Sequence, residues 1–203
     1  MKESRFLFLD GNPAWLDFVN TELVLNGAPA DLLVHFRDLV GWLEAAGFVG
    51  PEQAGEALLS WNDGARGGDA LRRARDVRRM LRAAAGRLEA GESFPPSAVR
   101  AVNEILALGR GAHRLVPSKD GFDLWFEAVP DRAEALLVPL ARSLAEFLTA
   151  ADLGRVKKCD NPKCVLYFYD ATKNQARRWC SMALCGNRMK AALHYRRNKG
   201  GRA

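Results

Sequence analysis

The stretch that decides the fold is CDNPKCVLYFYDATKNQARRWCSMALC, which runs from Cys159 to Cys185 and holds all four cysteines of the 203-residue chain. The cysteines form two pairs, Cys159 with Cys164 and Cys180 with Cys185, with four residues inside each pair and fifteen between the pairs. Each short loop can bring two sulfurs to one ion while the chain between the pairs folds back as a hairpin. The spacing therefore predicts one tetrahedral four-cysteine site, and Zn²⁺ is the ion that such a site usually holds.

Three other uses of the cysteines stay open beside zinc. Disulfides would suit a secreted chain, but the apolar run Phe6 to Leu9 is too short for a signal peptide, and a reducing compartment disfavours them. An iron–sulfur cluster also takes four thiolates, at spacings that differ from this one. Unrelated buried cysteines would rarely form symmetric pairs. Zinc is our interpretation, in a structural role, because four protein ligands leave no coordination position for water or substrate.

Charge divides the chain at about the same place. Residues 155–203 carry 13 Lys and Arg against two acids, a net charge of +11, whereas the preceding residues carry 17 bases and 22 acids, a net charge of −5. A segment this basic is attracted to a polyanion. We therefore predict two domains, 1–154 and 155–203, of which the second is a basic zinc finger that binds nucleic acid.

The first domain is expected to be mainly helical with one β-hairpin. Apolar residues recur at helical spacing after Asp31, Pro51, Asp69, Pro96 and Asp131, and Asp120-Gly121 between two β-favouring runs signals the hairpin. The helix after Asp69 presents a run of arginines on its outer face, which we interpret as a solvated face paired with acids; a nucleic-acid stripe is the alternative. These arginines are Arg72, Arg73, Arg75, Arg78, Arg79 and Arg82.

The second domain is expected to be a treble-clef-like finger. The pattern predicts a strand from Cys164 to Tyr169, a turn, a returning strand from Ala176 to Trp179, and a helix from Cys185 to about Asn198. Its aromatic residues are interpreted as the finger core, with a base-stacking platform as the alternative. The overall fold class is then mainly α (α+β), a helical domain followed by a small hairpin-and-helix finger.

Two segments carry a resemblance to known families. RRWCSMALCGNR, ending in Cys185-Gly186-Asn187-Arg188, resembles the signature of the CGNR zinc-finger family. The N-terminal part resembles the ABATE domain in LDFVNTE, residues 16–22, and LVGWLEAAGFV, residues 39–49. The resemblance covers nearly the whole chain and implies a stress-related bacterial transcription regulator with a DNA-binding finger. It assigns zinc ligation to Cys159, Cys164, Cys180 and Cys185.

The expected function is that of a DNA-binding transcription regulator with one structural zinc ion. Zinc-stabilised RNA binding or protein recruitment is the alternative. We expect Arg188 and Lys190 near bases and five cations near phosphates: Arg177, Arg178, Arg196, Arg197 and Lys199. Asn187 and Arg188 could instead buttress the metal site through hydrogen bonds.

Other features limit the remaining classes of function. His35, His113 and His194 have no catalytic partner at a suitable spacing, so we do not expect an enzyme. No apolar stretch approaches the roughly 20 residues of a membrane-spanning helix, so we expect a cytoplasmic protein without membrane contact. We also expect a homodimer, and a small-molecule or protein effector bound to the N-terminal domain.

Overall fold

The structure is a computed structural model, which describes residues 5–62, 64–128 and 130–200. The side chains of residues 125–128, 193, 194 and 196–200 lie outside that description. We call residues 5–154 the body and residues 155–200 the C-terminal module. The body begins with a short helix, α1 (Ala14–Val19), and a two-stranded antiparallel sheet of β1 (Glu22–Leu25) and β2 (Ala28–Asp31).

The β1–β2 hairpin was not predicted from the sequence. Asn26 and Gly27 connect its strands with positive φ angles of 51° and 84°, a conformation that Asn-Gly adopts readily. Asp31, predicted to cap a helix, ends β2 instead. The helix that follows, α2 (Phe36–Ala45), begins five residues later, where Asp38 accepts hydrogen bonds from the backbone N–H groups of Val34 (2.9 Å) and His35 (2.7 Å).

The core of the body forms around a long helix. After α3 (Pro51–Trp61), helix α4 (Ala65–Glu89) begins four residues before Asp69, where the sequence pattern placed its start. Its Leu71, Ala74, Val77 and Leu81 lie in the core with residues of α1 and α2. Apolar residues at this spacing give α4 one continuous apolar face.

Two arginines of α4 are not on a solvated face, which corrects part of the prediction. The Arg78 side chain is 1% exposed and donates hydrogen bonds to Asp31 at 2.7 Å, Glu22 at 3.0 Å and Thr21 at 2.9 Å. Arg82 is partly buried against Glu22. A buried arginine needs such partners because an unpaired charge inside a protein is costly, so the β1–β2 hairpin supplies the acids that hold α4.

The remaining body elements complete the core and leave one hairpin outside it. Helix α5 (Pro96–Leu106) is followed by the predicted hairpin of β3 (Gly111–Ser118) and β4 (Gly121–Ala128), whose Leu115, Phe122 and Leu124 are exposed. A 3₁₀ turn (Ala133–Leu137) then leads into α6 (Val138–Ala150). Pro139 lies in the first turn of α6, where its missing N–H leaves no hydrogen bond unmade, so it does not interrupt the helix.

The C-terminal module combines a small sheet with a helix. Strand β5 (Val156–Lys158) pairs antiparallel with β6 (Tyr167–Tyr169), and a π-helical turn (Met182–Gly186) leads into α7 (Asn187–Gly200). The predicted return strand, residues 176–179, is not a strand. β6 pairs with β5 on one side, and side chains of the body occupy its other edge, as described below.

The predicted fold class is confirmed: the protein is mainly helical, with small hairpins and a C-terminal hairpin-and-helix module. An apolar void between α4, α5 and α6 has a volume of only about 10 Å³ and therefore leaves no room for a small-molecule effector. Among the described residues, no helix is long and apolar enough to span a bilayer.

Candidate metal centre and its attachment to the body

The structure brings the four cysteine sulfurs together. One sulfur from each of Cys159, Cys164, Cys180 and Cys185 lies within 4.8 Å of all the others, and the Sγ atoms of Cys164 and Cys180 are 3.9 Å apart. Four ligands at about 2.3 Å from a tetrahedral Zn²⁺ would be separated by about 3.8 Å. The donor set and its dimensions therefore fit one zinc ion.

The loop between the first two cysteines is held by Asn161, which is 9% exposed. Its carbonyl accepts the N–H of Cys164 at 2.8 Å, and its side-chain oxygen accepts the N–H of Lys163 at 3.1 Å. The side-chain amide donates to Sγ of Cys185 at 3.2 Å. Asn161 thus joins the first cysteine loop to the turn that carries the last ligand, the orienting role that buried partners of metal ligands usually have.

The second cysteine loop is shaped by Ser181. Its hydroxyl accepts hydrogen bonds from the N–H groups of Ala183 (3.1 Å) and Leu184 (3.4 Å) at the start of the π-helical turn. Its carbonyl accepts those of Cys185 and Gly186, both at 3.0 Å. Capping of this kind satisfies N–H groups that a helix start leaves free, so Cys185 enters the site on a well-defined turn.

Gly186 lies in close contact with two side chains beside the last ligand. A Cβ atom at this position would lie 2.4 Å from Sδ of Met182 and 3.1 Å from Cδ1 of Trp179. A larger residue would therefore displace the end of the Met182 side chain, which is 45% exposed, and crowd the ring of Trp179.

The close packing of the sulfurs shifts the pKa values of Cys159, Cys164 and Cys180 in different directions. Hydrogen bonds from Cys164 and Cys180 lower the pKa of Cys159 to about 2. The hydrogen bond to Cys159 raises the pKa of Cys164 to about 12 and that of Cys180 still further. A divalent cation bound among the sulfurs would favour their thiolate form.

Arg177 stabilises the module from inside. Its guanidinium donates to the carbonyls of Trp179 at 3.1 Å, Asp10 at 2.9 Å and Cys180, and it lies 4.7 Å from the ring centroid of Phe168. Its backbone N–H donates to the buried carboxylate of Asp170 at 3.0 Å. The side chain therefore connects the second cysteine loop to the N-terminal part of the body.

Two asparagines of the body occupy the outer edge of β6. Asn20, which is 1% exposed, donates to the carbonyl of Tyr167 at 2.8 Å and accepts its N–H at 3.0 Å. Asn12 accepts the N–H of Tyr169 at 2.8 Å. A side-chain amide can replace a neighbouring strand in this way because it offers both a donor and an acceptor. The sheet of the module therefore ends against the body and not at a third strand.

Asp17 in turn holds Asn12 in place. Its carboxylate is 4% exposed and accepts the side-chain N–H of Asn12 at 2.8 Å and the backbone N–H of Leu9 at 3.3 Å. Burial raises the pKa of Asp17 to about 6, although both hydrogen bonds act in the opposite direction. A buried body carboxylate thus supports the contact between Asn12 and β6.

Arg82 and the N-terminal segment complete the attachment. Arg82 reaches from α4 to the carbonyl of Val165 at 2.9 Å and to that of Val19 at 2.7 Å. Leu9 lies in the same apolar cluster as Leu166, Phe168 and three of the cysteines. The small core of the module is therefore built partly from residues of the body, which provides apolar contacts that so short a segment lacks.

Two comparisons with protein families agree with this geometry. The profile of the CGNR zinc finger matches residues 155–198. The profile of ABATE, whose description is "Putative stress-induced transcription regulator", matches residues 12–151, more than half of the chain. The chain belongs to the ABATE family. Among curated proteins, no sequence matches it significantly. The C-terminal module is accordingly a CGNR zinc finger, and its four clustered cysteines can bind one zinc ion.

The predicted ABATE motif is explained by these contacts. Within LDFVNTE, Asp17 and Asn20 serve the attachment of the CGNR finger, while Thr21 and Glu22 bind Arg78. The polar residues of the motif therefore make hydrogen bonds within the protein. The sequence alone did not show this, because the partners of Asn20 and Glu22 lie 147 and 56 residues away.

Several cations of the CGNR finger have internal partners. Arg178 pairs with Asp160 at 2.7 Å and stacks on Trp179 with its guanidinium carbon 5.0 Å from the ring centroid. Lys157 pairs with the fully buried Asp170 at 2.7 Å. Burial alone would raise the pKa of Asp170, but the hydrogen bonds from Lys157 and from the neighbouring turn lower it to about 2. Arg177 and Arg178, both predicted nucleic-acid contacts, thus also have structural roles.

Other cations of the finger are exposed. Arg188 and Lys190 extend from the first turns of α7, and in the described part of the finger their side chains make no hydrogen bond or ion pair. Arg196, Arg197 and Lys199 lie on α7, but their side chains are outside the described residues. The assignment of these residues to nucleic acid remains a prediction.

Sequence reasoning missed three residues of this site. Asn161 supports two cysteine loops, and its position two residues after Cys159 was the available signal. Lys158 and Lys163, each directly before a ligand, are exposed. Asn187, which we had expected to buttress the metal, is exposed, and within the described residues its side chain makes no hydrogen bond.

A groove of about 890 Å³ lies beside the metal centre. Leu7, Phe8 and Asp10 form one side of it, and the chain from Ala176 to Leu184 forms the other. It contains no histidine among the described residues; His35 lies at the start of α2, His113 lies on β3, and the side chain of His194 is outside the description. The predicted absence of an enzyme activity stays a prediction.

Proposed function

We propose that this protein is a transcription regulator that binds DNA through its CGNR finger, and that zinc serves a structural role. The observation that carries the proposal is the closed four-cysteine centre within a segment of net charge +11. Thiolates supply all four ligands, so the metal has no open position and stabilises the loops around it. The description of the ABATE family as transcription regulators supports the same function.

The body is proposed to hold the finger in a fixed orientation. Asn12, Asn20 and Arg82 bind backbone atoms of the finger along the edge of β6 and just before it. Side-chain bonds to backbone groups fix both position and direction, so the basic surface and the body should move as one unit. We propose no catalytic activity for this assembly. The predicted homodimer is consistent with the small area that one finger can bury on DNA.

The test uses purified, zinc-loaded protein and fragmented genomic DNA. Fragments recovered on the protein are sequenced, and the affinity for enriched duplexes is compared with that for random duplex, single strands and RNA at physiological salt. A specific regulator should prefer its enriched duplex by roughly 10³-fold or more over random duplex. Equal affinity for all four probes would instead support the alternative, a general nucleic-acid-binding finger.

A variant without the metal provides the control. Cys180→Ala removes one of four ligands and should release zinc, because three thiolates no longer close the tetrahedron. Its DNA binding should fall with its zinc content. Retention of full, sequence-specific binding by a zinc-free variant would contradict the structural role of the metal.

A further inference from the structure

Three exposed cations of the finger lie beside the metal ligands. Lys158 directly precedes Cys159, Lys163 directly precedes Cys164, and Arg188 follows Cys185 by three residues. All three side chains are exposed, and within the described residues none makes a hydrogen bond or an ion pair. We call Lys158, Lys163 and Arg188 the metal-proximal cations.

Three other cations of the finger differ in this respect, whereas Lys173 and Lys190 are also exposed but lie farther from the ligands in the sequence. Arg155 pairs with Asp152, Lys157 with Asp170, and Arg177 donates to backbone carbonyls. Pairing within the protein lowers the attraction of such a cation for an external anion. The metal-proximal cations keep their full charge available for a ligand.

The acid nearest to these cations in the sequence is itself neutralised. Asp160 lies between Lys158 and Lys163, and Arg178 binds its carboxylate at 2.7 Å. The first cysteine loop therefore presents two lysines without an opposing free carboxylate. Arg178 thus has a role beside any direct contact with DNA, because its ion pair neutralises Asp160.

The metal fixes the positions from which these cations extend. Because consecutive Cα atoms are about 3.8 Å apart, the Cα atoms of Lys158 and Lys163 each lie at this distance from the Cα atom of a cysteine ligand. The hydrogen bond from Asn161 to Cys185 links their loop to the start of α7, where Arg188 lies. Two cations at the first cysteine loop and one on α7 are thus held near one centre.

We propose that the metal-proximal cations form the surface that contacts the phosphate backbone of duplex DNA. The inference rests on the proposed function and names the part of the finger that performs it. Unpaired ammonium and guanidinium groups on a rigid frame suit phosphates, which accept such hydrogen bonds and release counterions on binding. Arg177 and Arg178 also make contacts inside the finger, so they are not part of this set.

The first experiment measures DNA affinity by fluorescence anisotropy as a function of salt. In the triple variant K158Q/K163Q/R188Q, the slope of log affinity against log salt should decrease by about 2.7, because each phosphate contact contributes about 0.9. At about 0.15 M salt the same loss corresponds to an affinity about 10²-fold lower. Zinc content equal to that of the wild type verifies that the metal site is intact.

Two control variants separate this surface from general electrostatics. K173Q removes an exposed cation from the turn of the same finger, several residues from any ligand. R37Q/R66Q/R100Q removes three exposed cations from the body and changes the net charge as much as the test variant does. Both controls should keep a slope within one contact of the wild type.

A second measurement needs no substitution. Lysine acetylation of the wild-type protein is followed by mass spectrometry with and without duplex DNA. Lys158 and Lys163 should be protected by DNA, whereas Lys173 should react equally in both samples. This readout applies even if the triple variant loses zinc.

The outcomes distinguish the two proposals. Wild-type protein that binds no duplex at any salt concentration would refute both the proposed function and this surface. Wild-type binding with an unchanged slope in the triple variant, or with Lys158 and Lys163 unprotected, would refute the surface alone. A loss of affinity as large in K173Q as in the triple variant would also refute it.

Discussion

Substitution of Asn20 by alanine tests whether the body supports the finger. The Asn20 side chain is 1% exposed and makes two hydrogen bonds to the backbone of Tyr167, at 2.8 and 3.0 Å. Asn20→Ala leaves the N–H and carbonyl of Tyr167 without these partners. Each buried group that loses its partner costs about 1–3 kcal/mol, and Tyr167 is only half-buried, so we expect a loss of about 2–3 kcal/mol.

Two assays measure this loss. For a chain of this size, the melting temperature should fall by about 5–10 °C, measured by circular dichroism with zinc bound. If the finger detaches locally, a coloured chelator should also take up zinc up to about 10²-fold faster, since about 1.4 kcal/mol corresponds to a factor of ten. Asn103→Ala is the matched control, because Asn103 is exposed on α5 and its side chain makes no hydrogen bond within the described residues.

The reasoning would be refuted if Asn20→Ala matched Asn103→Ala in both melting temperature and rate of zinc loss. A lower melting temperature with an unchanged rate of zinc loss would show that Asn20 stabilises the body without supporting the finger. The two assays together therefore separate attachment of the finger from the stability of the whole chain.

Three further predictions follow from the described contacts. Removal of zinc by a chelator should unfold the finger, since structural zinc contributes roughly 10–16 kcal/mol in isolated fingers. The near-ultraviolet circular dichroism, to which Trp179 contributes, should then change, while the far-ultraviolet helical signal of the body persists. Gly186→Ala should destabilise the zinc-bound protein by about 1 kcal/mol in urea unfolding, because its Cβ would displace the end of the Met182 side chain and lie 3.1 Å from Cδ1 of Trp179; a stability equal to that of the wild type would contradict the packing argument. Burial raises the pKa of Asp17 from 3.8 to about 6, so the native state binds the proton more tightly than the unfolded state. The free energy of unfolding should therefore fall by up to about 3 kcal/mol as pH rises from about 4 to 6. Asp17→Asn should remove that decrease when unfolding is measured as a function of pH.

The sequence predicted the metal centre well because zinc ligation depends on a local pattern. The spacing from Cys159 to Cys185 specified the ligand set, and the structure places all four sulfurs together. The hairpin at Asp120-Gly121 was also predicted correctly, since a tight turn has a strong local preference. Features determined by a few neighbouring residues were therefore accessible from the sequence.

Features that depend on distant partners were not predicted. The chain after the turn at Asp170 was expected to pair with β6, but β6 pairs with β5, and Asn12 and Asn20 occupy its other edge from 157 and 147 residues away. Arg78 was placed on the surface, since nothing local indicates that Glu22 and Asp31 enclose it. The hairpin at Asn26-Gly27 is different, because its turn signal is local and present in the sequence.

The contact between Arg177 and the carbonyl of Asp10 spans 167 residues, and it has a consequence for biosynthesis. Ribosomes produce the segment around Asp10 before its partner 167 residues later in the chain, so the body can fold while the small core around Leu9 is still incomplete. Maturation of the metal centre is therefore a late event, in which zinc capture and closure of the two distant segments should occur together.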